Sequence, residues 1–348
     1  MKKLILLSIL FVLTITATSQ VPLSINEGES TIVYALPKTE LCIVLETEKT
    51  TQTPGMFFRY SERYLATKKV ILEEKTTYTL KSIKIITRAI PDPARTFSFI
   101  PSGTLQTYHL SVNSAGILCG VNVPVDAEVE PSTKSVVTAN DNSASTSNGL
   151  LPLGEEYMMA GSEAKLAEGA AKQIYRIRES RMSLITADID KLPADGDSFK
   201  SMLDGMNKME REMTELFVGK TIKETQVQTL YLTPVNAVAN DVLFRLSAIK
   251  GLVNADDLSG TPYYITITPS TIKKNPNDPR ARNEKAGLWY VLPAATQITI
   301  GDGVNTVFSG QFSIPQFGIT IPLAESLFKQ PNIKVQIDPQ TGRLLRVQ

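Results

Sequence analysis

The chain has 348 residues, of which 42% are hydrophobic and 20% are charged, and its 36 basic and 35 acidic side chains leave a formal net charge of +1. A charge this close to zero gives no overall attraction to nucleic acid or anionic lipid, and we expect no nucleic-acid partner. The chain has two cysteines and one histidine. A closed structural zinc site takes four ligands, which two thiols cannot supply, and we expect no metal or other cofactor.

The N-terminal residues are typical of a secretory signal peptide. Lys2 and Lys3 precede an apolar run at 4–15, and a small-x-small cleavage site follows at 17–19. The pattern predicts cleavage near Ser19-Gln20 and export to the periplasm, the cell surface or the medium. The run is too short for a bilayer span of about 20 residues, and no later stretch is long and apolar enough, so we expect no transmembrane span after cleavage.

Residues 20–123 predict an N-terminal β domain. Apolar and polar side chains alternate with a period of two over YTLKSIKIITR, residues 78–88, as in a half-buried strand. Residues 54–68 break this pattern, because Phe57, Tyr60 and Tyr64 recur there at helical spacing. They predict a short amphipathic helix with aromatic anchors.

Both cysteines, Cys42 and Cys119, lie in strand-like runs of this domain. An exported compartment permits a disulfide between them. Two buried free thiols are the alternative that we favour, because a free cysteine packs as a small apolar side chain.

Residues 124–153 differ in composition from the rest of the chain. They are rich in Ser, Thr, Asn, Asp and Pro and contain no aromatic residue. Such a segment cannot bury enough apolar surface to offset the entropy lost on ordering. We expect a disordered low-complexity linker.

Residues 154–219 predict a long antiparallel αα-hairpin. The first helix has an alanine-rich seam that ends at Ile174, and a loop around 192–196 leads to the second helix. The second helix carries an apolar stripe at spacings of three and four, formed by Phe199, Met202, Met206, Met209, Met213 and Leu216. We expect this stripe to pack against the small alanines, and the alternative is a groove for a partner helix.

Three arginines of the first helix, Arg176, Arg178 and Arg181, form a basic face. The face is a candidate site for a glycan, a phosphate or a carboxylate of a partner. The interpretation that we favour is a solvated face whose arginines form salt bridges with the second helix, for example with Glu210 or Glu212.

Residues 220–348 return to strand patterns and predict a C-terminal β domain, with Gly301-Asp302-Gly303 as a hairpin signal. The predicted fold class is therefore α+β. Two mainly antiparallel β domains, sandwich-like or barrel-like, are separated by the long αα-hairpin.

Four aromatic residues of the C-terminal domain form a candidate ligand surface, on which sugar rings could stack: Tyr263, Tyr264, Trp289 and Tyr290. Strand alternation turns Trp289 and Tyr290 to opposite faces, which weakens a single platform.

A Tyr-x-Leu-Pro motif occurs twice, at 34–37 and at 290–293, each time at the front of a strand-like run. Proline donates no backbone hydrogen bond, and this suits an edge, a bulge or the first residue of a strand. The apolar pattern after the two prolines differs by one residue, which exchanges the buried face. We interpret the motif as a structural device for starting a strand and not as a binding motif used twice.

No residue is predicted to be catalytic. The single histidine, His109, would have to be the base of any Ser-His-Asp triad, and no nucleophile elbow of the G-x-S-x-G type accompanies it. Asp256 and Asp257 are neighbours in a polar turn, whereas the carboxylates of a glycosidase converge across roughly 5–9 Å of a cleft.

The segment 173–219, QIYRIRESRMSLITADIDKLPADGDSFKSMLDGMNKMEREMTELFVG, resembles the signature of an exported Bacteroides-type family catalogued as domain of unknown function 4831. Other stretches are similar to this family, among them VYALPKT (33–39), MFFRYSERYL (56–65), DDLSGTPYYI (256–265) and GLWYVLP (287–293). The resemblance covers nearly the whole mature chain. It implies export to the cell envelope and a β–αα–β layout, and it implies no catalytic residues, because the family has no established activity.

Three hypotheses for the function follow. The leading one is an exported, non-enzymatic envelope protein that acts as an interaction or structural module with an envelope protein as partner. The alternative is a glycan-binding protein of a polysaccharide-utilisation system, and the third is a carboxylate-dependent hydrolase. The oligomeric state is left open.

Overall fold

The structure is a computed structural model that describes residues 32–99, 109–124, 155, 159, 161–186, 188, 195–272, 288–323, 327–328 and 333–348. The predicted signal peptide, and the predicted linker apart from residue 124, lie outside this part of the chain.

Twelve strands and three α-helices have described bounds. The strands are β1 (Ile32–Thr53), β2 (Lys75–Phe99), β3 (Leu110–Val112), β4 (Leu118–Val121), β5 (Lys220–Leu232), β6 (Val238–Ser247), β7 (Gly251–Val253), β8 (Thr261–Pro269), β9 (Trp289–Gly301), β10 (Thr306–Pro322), β11 (Val335–Ile337) and β12 (Leu344–Val347). The helices are α1 (Ser61–Leu65), which follows a 3-10 turn at Phe58–Tyr60, α2 (Glu163–Ile185) and α3 (Gly196–Val218). The short helix predicted within 54–68 and the two long helices are confirmed.

The strands form three antiparallel sheets, with the orders β2-β1-β5, β10-β9-β8-β6-β7 and β12-β11-β4-β3. The helices α2 and α3 are antiparallel, because Arg178 bonds Glu210 while Arg181, further along α2, bonds the earlier residue Asn207. These features confirm the predicted α+β class with antiparallel sheets and an αα-hairpin.

Strands from the two ends of the chain share two of these sheets. The strand β1 pairs with β5 over Leu41–Thr53, and β4 pairs with β11. The β segments on either side of the αα-hairpin in sequence therefore build their sheets together in space.

Among the described residues, buried side chains form three clusters. Core 1 includes Tyr34, Leu36, Leu118, Tyr290, Val291 and Val335. Core 2 includes Leu41, Ile43, Leu45, Ile265, Ile267, Ile298 and Ile300. The helical core joins Phe57 to Ala167, Ala171, Ile174, Met213 and Phe217. Both β1 and β9 thus begin in core 1 and end in core 2.

Each of these two strands passes from one core to the other beside a bulge in its neighbour. Between Ala35 and Pro37 the partner residue moves from Thr96 to Pro91, so that 92–95 form a bulge in β2. Extra residues of this kind bend a strand and increase its twist.

The second bulge lies in β10. Between Leu292 and Ala294 of β9 the partner moves from Ile319 to Ile314, which leaves 315–318 as the bulge. Glycine is required at its end, because a Cβ on Gly318 would collide with the Leu292 carbonyl. The two Tyr-x-Leu-Pro motifs therefore occupy equivalent positions, each with its proline beside a bulge.

The Arg95 side chain connects the two bulges. Its Nε donates to Asp92 Oδ2 at 2.6 Å, its Nη1 to the Pro315 carbonyl at 2.9 Å and its Nη2 to the Pro37 carbonyl at 3.0 Å. Only 16% of the Arg95 side chain and 13% of the Asp92 side chain are exposed. A planar guanidinium suits this place, because it offers several donors in fixed directions to carbonyl groups that the bulges take out of the ladder.

Gln316, in the second bulge, reinforces this connection. Its Oε1 accepts from the Thr39 N–H at 2.8 Å, and its Nε2 donates to the carbonyls of Thr39 at 2.8 Å and Pro234 at 3.1 Å. We call Arg95, Asp92 and Gln316 the bulge junction.

We expect Arg95→Ala to lower the free energy of unfolding by about 3–5 kcal/mol, because it leaves the Asp92 carboxylate and two carbonyls buried without their donor. Urea unfolding followed by circular dichroism measures the change. Lys165→Ala is the control, since Lys165 is 59% exposed beside Glu168 and its removal should cost about 1 kcal/mol or less. Equal losses in the two variants would contradict the role of Arg95.

Candidate functional site

The four aromatic residues of the candidate ligand surface do not lie together. Tyr264 pairs with Gly301, at the far end of β9 from Trp289. The strand β9 has 13 residues, so the two ends are about 40 Å apart at roughly 3.3 Å per residue. Three of the four rings are also used in packing.

These three rings are in contact with other aromatic side chains or in a core. Tyr263 stacks on Phe244, with ring centroids 4.8 Å apart, and faces core 2. Trp289 stacks on Phe97 at 5.4 Å, and Tyr290 is buried in core 1. Burial raises the pKa of Tyr263, with a smaller effect from Asp302. Tyr264, in contrast, lines a groove.

The Tyr264 groove has a volume of about 310 Å³ and lies where β6, β8 and β9 meet the β9–β10 turn. Its lining residues are Asn240, Tyr264, Thr266, Thr299, Ile300, Gly301, Gly303, Val304, Asn305 and Thr306. None of these side chains carries a charge. Sequence reasoning identified the ring but missed its polar neighbours, which follow from the alternation of outward-facing residues once the strand pairing is known.

The predicted basic face of α2 is largely occupied by an interhelical salt bridge. Arg178 Nε donates to Glu210 Oε1 at 2.7 Å, Arg181 Nη1 donates to Glu210 Oε2, and the same Nη1 donates to Asn207 Oδ1 at 2.9 Å. The Arg176 side chain is exposed. Arg178 and Arg181 thus form the salt bridges with the second helix that we favoured, and Glu210 is their partner.

Glu210 also explains why the methionine stripe is only partly buried. Met213 and Phe217 are buried and Met206 packs against the helical core, whereas Met202 is 44% exposed and Met209 is 42% exposed. The face of α3 toward α2 includes Glu210, which is 15% exposed at its side chain. The helix α3 is therefore rotated about its axis, so that Glu210 faces α2 and part of the methionine stripe faces solvent. In this orientation Glu210 reaches Arg178 and Arg181.

Burial would raise the pKa of Glu210, but the hydrogen bonds and charges of Arg178 and Arg181 outweigh it, and the pKa lies below its ordinary value. The carboxylate is therefore ionised at neutral pH and holds the two helices together.

Cys42 and Cys119 are both buried thiols and do not form a disulfide. Burial raises the pKa of the Cys42 thiol, although the charge of Arg88 opposes this. A raised pKa disfavours the reactive thiolate, so Cys42 has the properties of a structural cysteine. This agrees with the second of the two alternatives that the sequence left open.

His109 is exposed and directly precedes β3. Within the described ranges, no group of three or more His, Cys, Asp and Glu side chains could hold a metal ion. No helix in the same part of the chain has the length and apolar content that a membrane crossing requires.

Comparison with known proteins gives one match. The family model described as "Domain of unknown function (DUF4831)" covers residues 30–345. No curated protein and no solved structure matches the chain. The match spans almost all of the chain and all three sheets, and the chain therefore belongs to the DUF4831 family.

Proposed function

We propose that the protein is an exported, non-enzymatic module of the cell envelope that binds another envelope protein through its αα-hairpin. Export is supported by the basic, apolar and small-residue pattern of residues 1–19. The resemblance to a Bacteroides-type family supports a location in the cell envelope of such a bacterium. The observation that carries the proposal is the distribution of apolar surface along the hairpin.

Three large apolar side chains are exposed on the half of the hairpin far from α1, namely Met182 (62%), Ile185 (59%) and Met202 (44%), and Met209 (42%) lies just past the middle of α3. We call them the distal apolar residues. Exposed apolar side chains that cluster on one element favour a binding surface, and methionine adapts to partners of different shape.

The other half of the hairpin is fixed to the β framework. The Phe57 ring packs on Phe217 with centroids 5.5 Å apart, and the Phe57 N–H donates to the Leu216 carbonyl at 2.6 Å. The Tyr175 hydroxyl donates to the Tyr64 carbonyl at 2.8 Å, and the Ile71 N–H donates to the Val218 carbonyl at 2.9 Å. The hairpin thus has a buried base and an apolar distal half, which suits the presentation of a preformed surface to a partner.

A photo-reactive amino acid in place of Met202 tests this proposal in envelope extract of the native organism. Ser201 is the matched control, because it is exposed on the adjacent face of the same helical turn. We expect a discrete adduct with another protein from position 202 and none from position 201. No adduct from position 202, or identical adducts from both positions, would contradict the proposal.

The proposal requires a stiff hairpin, and Glu210→Gln tests what holds it. Replacing the carboxylate by an amide removes the charge-assisted bonds from Arg178 and Arg181, and we expect a loss of roughly 2 kcal/mol in the free energy of unfolding. Helical circular dichroism during urea unfolding measures the loss. Glu212→Gln is the control, since Glu212 is 42% exposed and only 4.0 Å from Lys208.

The difference in stability between the wild type and Glu210→Gln should depend on pH. The pKa of Glu210 is lower in the folded protein than in the unfolded chain, so its stabilisation is complete above the unfolded value of about 4.3 and is lost as the pH falls through the folded value. The difference between the wild type and Glu210→Gln should therefore shrink below about pH 4. A difference that stays constant down to pH 2 or so would show that the charge of Glu210 is not what matters.

A further inference from the structure

The outer face of the five-stranded sheet is uncharged across three strands. Ile265 and Ile267 of β8 and Ile298 and Ile300 of β9 face core 2, so the residues between them point outward. The outward residues of β8, β9 and β10 in this region are Tyr264, Thr266, Thr268, Gln297, Thr299, Ser309 and Gln311. All of them carry hydroxyl or amide groups.

The strand register arranges these groups in rows. Thr266 lies opposite Thr299, which lies opposite Ser309, so three hydroxyls cross three strands. The next row contains Thr268, Gln297 and Gln311. Neighbouring strands are about 4.8 Å apart, so each row presents donors and acceptors at a regular spacing.

The other large sheet shows that a neutral face is not a general property of this protein. The outer face of β2-β1-β5 carries salt bridges: Glu46 with Lys84 at 3.1 Å, and Glu48 with Lys81 at 2.8 Å and Lys223 at 3.0 Å. Charged side chains are the usual means of keeping an exposed face in solution. A sheet face without charged side chains has a composition suited to a role other than solubility.

The Tyr264 groove includes Thr266 and Thr299 of the first row. Thr266 Oγ1 accepts from the Asn240 N–H and donates to Asn240 Oδ1, both at 3.1 Å, which fixes the amide of Asn240 at the groove. Asn240 has a φ of 52°, an uncommon conformation for a residue other than glycine, and it is held by these two bonds. Gly303, with a φ of 91°, places the turn beside the Tyr264 ring without a side chain of its own.

We infer that the Tyr264 groove and the hydroxyl and amide rows beside it bind a neutral oligosaccharide. A sugar ring has an apolar C–H face that packs on an aromatic ring, and hydroxyls that exchange hydrogen bonds with amides and hydroxyls. The groove combines one aromatic ring with several hydroxyl and amide groups, and polar groups placed in this way fix the orientation of a bound molecule. The rows extend the site beyond a single sugar, so the ligand is a chain of several sugars. The inference is independent of the αα-hairpin and its partner.

The electrostatics of the groove favour a neutral ligand over an anionic one. A buried anion needs a cation or several donors, and none of the lining side chains is charged. Asp302, in the β9–β10 turn beside the groove, accepts from the N–H groups of Asn305 at 2.7 Å and Val304 at 2.9 Å. These bonds lower the pKa of Asp302, so it remains a negative charge that repels anions.

Calorimetric titration of the full chain with maltohexaose, cellohexaose, xylohexaose and mannohexaose tests the inference, with hexagalacturonate as the anionic comparison. We expect at least one neutral hexasaccharide to bind with a millimolar or lower Kd and hexagalacturonate not to bind. Tyr264→Ala should weaken the binding by about tenfold or more, and Tyr264→Phe, which keeps the ring, by about twofold or less. Thr299→Glu places a charge in the groove, at the surface of the sheet, and should abolish the binding.

Two variants serve as controls. Tyr263→Phe changes the neighbouring ring on the core face and should bind like the wild type. Met202→Glu on the hairpin should do the same, and it separates this site from the proposed protein partner. The inference would be overturned if none of the neutral hexasaccharides bound, or if binding survived both Tyr264→Ala and Thr299→Glu. Equal binding of hexagalacturonate would also overturn it. So would a response only to an uncharged Gly-Ser peptide of similar length, titrated in the same way.

Discussion

The β framework depends on the hydrogen bonds of the Arg95 guanidinium, which join its two bulges. The strands β1 and β9 each pass from core 1 to core 2, and a strand can do so only if its neighbour accommodates the bend. The bulges at 92–95 and 315–318 provide that accommodation, and each removes carbonyl groups from a ladder. Because Arg95 bonds the carbonyls of Pro37 and Pro315 together, the two bends are joined and the sheets keep a fixed relation to each other.

This framework gives the molecule three different surfaces. One sheet exposes salt bridges such as Glu46 with Lys84, another exposes uncharged hydroxyls and amides beside Tyr264, and the αα-hairpin exposes methionines on its distal half. The hairpin is attached through Phe57 and Phe217 and leads into β5 of the three-stranded sheet, whereas the Tyr264 groove lies on the five-stranded sheet. A module with a protein-binding hairpin and a separate sugar-binding face would connect an envelope protein to a neutral polysaccharide. The two proposals together describe that module, and each can fail without the other.

Local patterns in the sequence predicted the local structure well and the long-range structure poorly. Helical spacing of Phe57, Tyr60 and Tyr64 predicted α1, the alanine-rich seam predicted α2 and the methionine stripe predicted α3, because helices depend on residues three and four apart. The sequence suggested Glu210 as a partner of Arg178 and Arg181, but not the rotation of α3, because the rotation depends on how the two helices pack in space. The sharing of sheets could not be predicted either, because β1 and β5 meet across a sequence separation of 175 residues, as at Lys49 and Glu224. For the same reason the sequence does not show that Trp289 stacks on Phe97 of the other β segment.

The central claim is that strands shared between core 1 and core 2, joined by the bulge junction, make the β framework a single cooperative unit. Trp289, the only tryptophan, packs against core 1, and the methyl groups of Ile298 and Ile300 lie in core 2. Urea unfolding followed at equilibrium by Trp289 fluorescence and by methyl NMR of these two isoleucines tests the claim most directly. We expect the two probes to give the same midpoint and the same slope. Two separate transitions, with one core unfolding while the other remains intact, would contradict it.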